Sequence, residues 1–102
     1  MEPPSGMKVW YSRRSRRNID AIYRYIARDS VQAAQRVEDK VRAAITKIAR
    51  NPGFGTITDF EGVRRLIVRP YPYQIFYSVL ENEVQILRVR HSARKPPKAR
   101  DF

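Results

Sequence analysis

His91 is the only histidine in the sequence, and it lies in the run Arg88-Val89-Arg90-His91-Ser92-Ala93-Arg94. A histidine can exchange a proton near neutral pH, and arginines beside it can hold a phosphate or carboxylate in forked pairs. The run could therefore place a general acid or base next to an anion site. The same ring could instead close the end of a core and hydrogen-bond a neighbour. Strand alternation puts His91 on the face of Leu87 and Val89, with Arg88 and Arg90 on the other. It also sets His91 and Ser92 on opposite faces, which argues against a serine nucleophile activated by this histidine.

Arginines recur elsewhere. Arg13, Arg14, Arg16 and Arg17 crowd the start of a first helix, where positive charge opposes the helix dipole. They are either solvated or matched by an anionic partner. Arg64, Arg65 and Arg69 lie on or beside a strand, as Arg88, Arg90 and Arg94 do, so one pleated surface can gather several of them. Tyr71, Tyr73, Phe76 and Tyr77 cluster between these groups. Tyrosine with arginine can bind nucleic acid by stacking and phosphate contact, whereas aromatics on a central strand also serve as core. Asp59, Glu61, Glu81 and Glu83 fall in or beside loops, without the helical spacing of a paired-carboxylate site. With no cysteine and one histidine, disulfides and thiolate zinc sites are excluded and no metal or cofactor is expected.

These residues sit in a chain of 102 residues, the size of one domain. Hydrophobic residues make up 42%, enough to fold, against a net charge of +11. That charge calls for an acidic or polyanionic partner such as nucleic acid, an acidic protein or an anionic membrane surface. No apolar run approaches the ~20 residues of a transmembrane helix, and the start lacks the basic-then-apolar order of a secretion signal. A cytoplasmic protein with no membrane role is the expectation.

The elements that must position the chemistry follow from periodicity. Residues 8–11 are β-prone. Ser12 can cap a helix over 13–28, whose stripe is Ile19, Ile22, Tyr23 and Ile26. A second helix over 31–50 shows one face of Ala34, Val37, Val41, Ala44, Ile45 and Ile48. The short link between the two predicts an antiparallel hairpin, and Asn51-Pro52-Gly53 ends it. Residues 54–61 read as a loop. Three strands follow over 63–69, 73–80 and 84–91, and their short links predict an antiparallel meander. The fold class is α+β, with the helical hairpin on one face of the sheet. The domain spans 7–95, between a flexible leader over 1–6 and an extended or mobile basic tail over 96–102.

Taken in order, these words resemble the RelE/ParE superfamily of bacterial type II toxin–antitoxin toxins, most closely its ParE branch. The matching words are Ile22-Tyr23-Arg24-Tyr25-Ile26, Ala33-Ala34, Asn51-Pro52 with Gly55, Arg64-Arg65-Leu66-Ile67-Val68, Tyr71-Pro72-Tyr73 with Tyr77, and Ile86-Leu87-Arg88-Val89-Arg90-His91 with Arg94. The resemblance implies a β-α-α-β-β-β fold with an antiparallel sheet, and an acidic ParD-like antitoxin in a hetero-oligomeric complex. It further implies one of two activities. ParE-like members poison DNA gyrase by binding, whereas RelE-like members cut mRNA on the ribosome. In the latter an arginine commonly follows the middle-strand tyrosine; here Gln74 stands there, and loss of a placed cation at a phosphoryl centre removes orders of magnitude in rate. No tyrosine follows Tyr77 to match the closing tyrosine of RelE-like chains, although some ribonuclease members place a histidine near His91. The resemblance thus favours a gyrase-binding toxin with no catalytic residue and no small-molecule substrate. Its candidate target-binding residues are Arg88, Arg90, His91 and Arg94, and its candidate antitoxin-binding residues are Arg64, Arg65, Arg69 and Tyr73.

Overall fold

The computed structural model describes residues 6–102. The leader expected over 1–6 therefore lies outside the described residues except for Gly6. The chain runs β1 (Lys8–Tyr11), α1 (Arg13–Ala27), α2 (Val31–Arg50), β2 (Thr56–Ile57), β3 (Arg64–Ile67), β4 (Tyr73–Leu80) and β5 (Glu83–His91). Serine caps start both helices. The Ser12 and Ser30 hydroxyls accept the N–H groups of Ser15 and Ala33 at 2.9 and 3.1 Å, satisfying donors the helix leaves orphaned. Asn51-Pro52 stops α2, and Pro52–Phe54 forms a 3₁₀ turn.

The sheet order is β1-β5-β4-β3-β2. β3, β4 and β5 form the expected antiparallel meander, while β1 joins β5 in parallel. Thr56–Ile57 pairs with Arg65 and Arg64 within the stretch expected to be a loop. α2 buries Ala34, Val37, Val41, Ala44, Ile45, Ile48 and Ala49. Of these, Val37, Val41, Ala44, Ile45 and Ile48 pack on Tyr73, Ile75, Tyr77, Val84, Ile86 and Val89 from the sheet, with Ile19, Ile22 and Ile26 of α1 partly buried at the margin.

A β-bulge decides how α1 attaches. Phe76 stands opposite Arg88 and Tyr77 opposite Ile86, which leaves Leu87 as the extra residue. Strict alternation therefore fails at Leu87, whereas Val89 and His91 keep the core-side phase. The freed Leu87 carbonyl accepts the Ser12 hydroxyl at 2.8 Å, and the Ser12 N–H donates to Ile86 at 2.9 Å. One serine thus caps α1 and pins it to β5.

On the other flank Tyr77 is fully buried. Its hydroxyl donates to the Pro52 carbonyl at 2.7 Å and accepts the Gly55 N–H at 2.8 Å. Burial pushes the Tyr77 phenol up, against the opposing effects of the Gly55 N–H and nearby Arg64. A Cβ at Gly55 would stand 2.6 Å from the Tyr77 hydroxyl and 2.9 Å from the Arg65 carbonyl, so glycine alone fits this approach.

Candidate functional site

Because Tyr73, Ile75 and Tyr77 face α2, the alternate residues of β4 face the other way. Gln74 stands opposite Arg90 and Phe76 opposite Arg88, while Arg65 of β3 stands opposite Phe76 from the other side. The face of the sheet away from the helices is therefore cationic with an aromatic centre.

The tail covers part of this face. Asp101 sets one carboxylate oxygen 3.2 Å from Arg88 Nη1 and the other 3.2 Å from Arg90 Nη1. The Lys98 N–H donates to the same carboxylate at 2.7 Å. Phe102 lies tilted between Phe60 and Phe76, with ring centroids 5.1 and 5.3 Å away. Arg90 Nη2 also donates to the Lys95 carbonyl at 2.7 Å, and Arg14 of α1 reaches the Arg100 carbonyl at 2.8 Å. Asn18 Oδ1 accepts from both Arg88 Nε and the Val89 N–H at 3.0 Å, fixing the root of the cluster to α1. The Lys98 N–H holds the Asp101 carboxyl below the usual carboxylate range; burial opposes it, and Arg90 and Arg88 add further downward effects. Burial pulls the Arg88 guanidinium down, with Asp101 opposing.

One sequence expectation is corrected here. The tail is folded back and anchored, with a 3₁₀ turn at Ala99–Asp101, where an extended or mobile segment was expected. The side chains of Arg88 and Arg90 beneath it are 12% and 8% exposed and share one carboxylate. The cause is non-local: Asp101 is the only acid after Glu83, and the sheet face offers it the two guanidiniums.

Beside the tail an open cleft of about 490 Å³ is bounded by Arg65, Gln74, Arg90, Arg94 and Lys95, with Phe60 at its wall. Arg94 is exposed here. His91 lies at the rim, with its ring edge-on to Tyr73 at 5.4 Å and its Nδ1 accepting the Ala93 N–H at 3.0 Å. That geometry uses the ring to close the end of β5 and brace the turn after it. Of the four candidate target residues, the fold brings Arg90, His91 and Arg94 to one cleft and ties Arg88 beneath the tail.

The antitoxin candidates are dispersed. Arg64 donates to the Gly55 carbonyl at 2.8 Å and braces the turn after α2. Arg65 faces the cleft. Tyr73 is buried, its phenol pushed up mainly by that burial. Arg69 borders a different groove of about 270 Å³ between α2 and β3, where Lys40 and Lys47 flank Phe54, Leu66 and Ile67. Phe54 and Ile67 are 52% and 39% exposed in that groove. Sequence reasoning missed Asn18, Phe60, Asp101 and Phe102 as parts of the site. The signal that could have found Asp101 is its isolation as a lone acid in a basic run. Among the described residues, no helix is long and apolar enough to cross a membrane.

This architecture has known counterparts. Residues 9–96 match the family described as ParE toxin of type II toxin-antitoxin system, parDE. Toxin RelE2 of Caulobacter vibrioides is 36% identical over 87 residues, spanning 85% of this chain and 97% of that protein. A chain of the chromosomal ParDE TA system from P. aeruginosa superposes with a TM-score of 0.74 at 25% identity, over 83% of this chain and 95% of the other. A chain of the RelBE2 toxin–antitoxin complex from Mycobacterium tuberculosis gives 0.61 at 21% identity, over 92% and 100%. The chain belongs to the ParE family within the RelE/ParE superfamily, and is a toxin of a type II toxin–antitoxin system.

Proposed function

We propose that this toxin acts by binding and poisoning DNA gyrase, with no RNA cleavage, and that a cognate acidic antitoxin neutralises it in a hetero-oligomer in the cytoplasm. The observation that carries the reading is the engagement of the open face. Gln74 occupies the position where RelE-like toxins carry an arginine, Arg88 and Arg90 are paired with Asp101, and His91 Nδ1 is bonded to backbone. A phosphoryl-transfer site needs cations aimed at the reacting phosphate and a base within reach of the nucleophile. Here those groups already have partners. The exposed charge at the cleft, Arg94 with Arg65 and Lys95, suits an acidic or phosphate-bearing target surface, with Arg90 and His91 at its edge.

For the antitoxin, the groove rimmed by Lys40, Lys47 and Arg69 suits an amphipathic acidic segment whose apolar residues cover Phe54 and Ile67. Arg64, Arg65 and Tyr73 would then contribute through the neighbouring strand rather than as one patch. A specific interface of this kind buries more than about 1,000 Å².

The test is induction of this chain alone in a bacterial host, scoring the DNA-damage response against transcript cleavage. A damage response with intact transcripts supports the reading. Codon-positioned cleavage overturns it in favour of the mRNA endonuclease and makes His91 the candidate base.

A further inference from the structure

The way residues 101–102 are held has the form of a ligand in a site. We propose that Arg88, Arg90, Phe60 and Phe76 form a peptide-binding site for a segment carrying a carboxylate followed by an aromatic ring. The chain's own Asp101-Phe102 occupies it in cis, and an acidic-aromatic segment of a protein partner takes it by displacing them. This goes beyond the toxin reading and does not depend on which target is poisoned.

Three observations carry it. First, the two halves of the site are of different chemistry and are met together. Asp101 spans both guanidiniums, one oxygen to each at 3.2 Å, so each carboxylate oxygen meets its own charge-assisted donor. The next residue fills an aromatic slot at 5.1 and 5.3 Å, where tilted rings attract.

Second, the occupant is attached mainly near its end. Between Ser92 and Lys98 most residues are exposed, and Arg90 Nη2 to the Lys95 carbonyl is the principal side-chain hold on the span. Pro96 and Pro97 restrict its backbone. Such a tether raises the local concentration of Asp101-Phe102 to the order of millimolar. A segment supplied in trans therefore competes only if it binds more tightly than that or brings contacts elsewhere.

Third, the site stays cationic while occupied. Two guanidiniums meet one carboxylate, Arg14 approaches from α1 by its bond to the Arg100 carbonyl, and Arg94 and Lys95 line the adjoining cleft. An incoming acidic segment is drawn to that surplus before it reaches the arginines. The lowered pKa of Asp101, set first by the Lys98 N–H with Arg90 and Arg88 adding to it, agrees with a carboxylate held in its ionised form.

The experiment uses the full chain carrying Asp101→Asn with Phe102→Ala, which empties the site in cis. It is titrated with a synthetic peptide of residues 96–102, Pro-Pro-Lys-Ala-Arg-Asp-Phe, while NMR follows the Arg88 and Arg90 Nε–Hε signals and the Phe76 ring. Saturable shifts of these signals are expected. In the unsubstituted chain the same peptide should bind at least about tenfold more weakly, because the tether competes. A peptide with asparagine for the aspartate should fail to saturate either protein. Equal binding to both proteins, or none to the folded double variant, overturns the proposal. So does a single-stranded oligonucleotide that shifts the arginine signals where the peptide does not, since the site would then be a phosphate site. Phe102→Ala alone keeps the ion pairs and carries the same titration, read at Phe60 and Phe76, if the double variant does not fold.

Discussion

Replacing Tyr77 by phenylalanine removes one oxygen atom from the interior and leaves the ring. The ring is fully buried between α2 and the sheet, so no apolar area is lost. What goes is the hydroxyl that bonds Pro52 at 2.7 Å and Gly55 at 2.8 Å. Gly55 is buried and its N–H has no water to turn to, so that donor bears a full desolvation penalty of about 1–3 kcal/mol. Pro52 is only partly buried, and water can replace its lost partner at a smaller loss. The sum is about 2 kcal/mol, which for a domain near this size lowers the thermal midpoint by about 8–16 °C. The turn over 52–55 also displays Phe54 beside the α2–β3 groove, so the same change should weaken antitoxin binding more than it disturbs the tail. Thermal denaturation by circular dichroism gives the first number, and titration with the antitoxin gives the second. A midpoint within about 2 °C of the parent protein would contradict this assignment and mean that the Gly55 donor had found another partner.

Other outcomes follow from the same contacts. Asp101 has a folded-state pKa lowered below its unfolded value, so its ion pairs stabilise the fold at neutral pH. They are lost as pH falls through that lowered value, and with the Lys98 N–H, Arg90 and Arg88 facing it, protection of the 98–102 amides against hydrogen exchange, relative to their intrinsic rates, should be lost only in acid. Ser12→Ala removes both a helix cap and the bond to Leu87, and should cost about 1–2 kcal/mol by denaturant melting. His91→Ala should leave growth arrest intact at matched protein level, since the ring packs on Tyr73 and braces backbone. Arg94→Ala, at an exposed position, should weaken arrest without changing the melting midpoint.

Much of the scaffold was legible because it is local. Serine caps, the period of Ala34, Val37, Val41, Ala44, Ile45 and Ile48, and the proline stop after α2 act within a few residues, and each determines its element. The short links of the meander likewise fix antiparallel pairing of β3, β4 and β5. The bulge at Leu87 is set by pairing with β4 and by the grip of Ser12, so alternation along β5 alone misplaces it. β2 has two residues and carries no period. The tail was misread for the same reason. Its anchor joins Asp101 to arginines 11 and 13 residues earlier and Phe102 to Phe60. Composition counted that segment as basic and proline-rich while its two final contacts decided where it lies. The candidate antitoxin residues Arg64, Arg65, Arg69 and Tyr73 share a stretch of sequence, but alternation and the turn after β3 send them to different surroundings.

Gyrase poisoning by binding, with no cutting of message, is the activity proposed for this toxin. The direct measurement is purified protein added to DNA gyrase with supercoiled plasmid and ATP, beside a parallel reaction with translating ribosomes. The expected result is linear DNA trapped on gyrase, its formation prevented by the antitoxin, and full-length messenger on the ribosomes. Unaltered gyrase activity together with cleavage of the messenger at the ribosomal A site would contradict it.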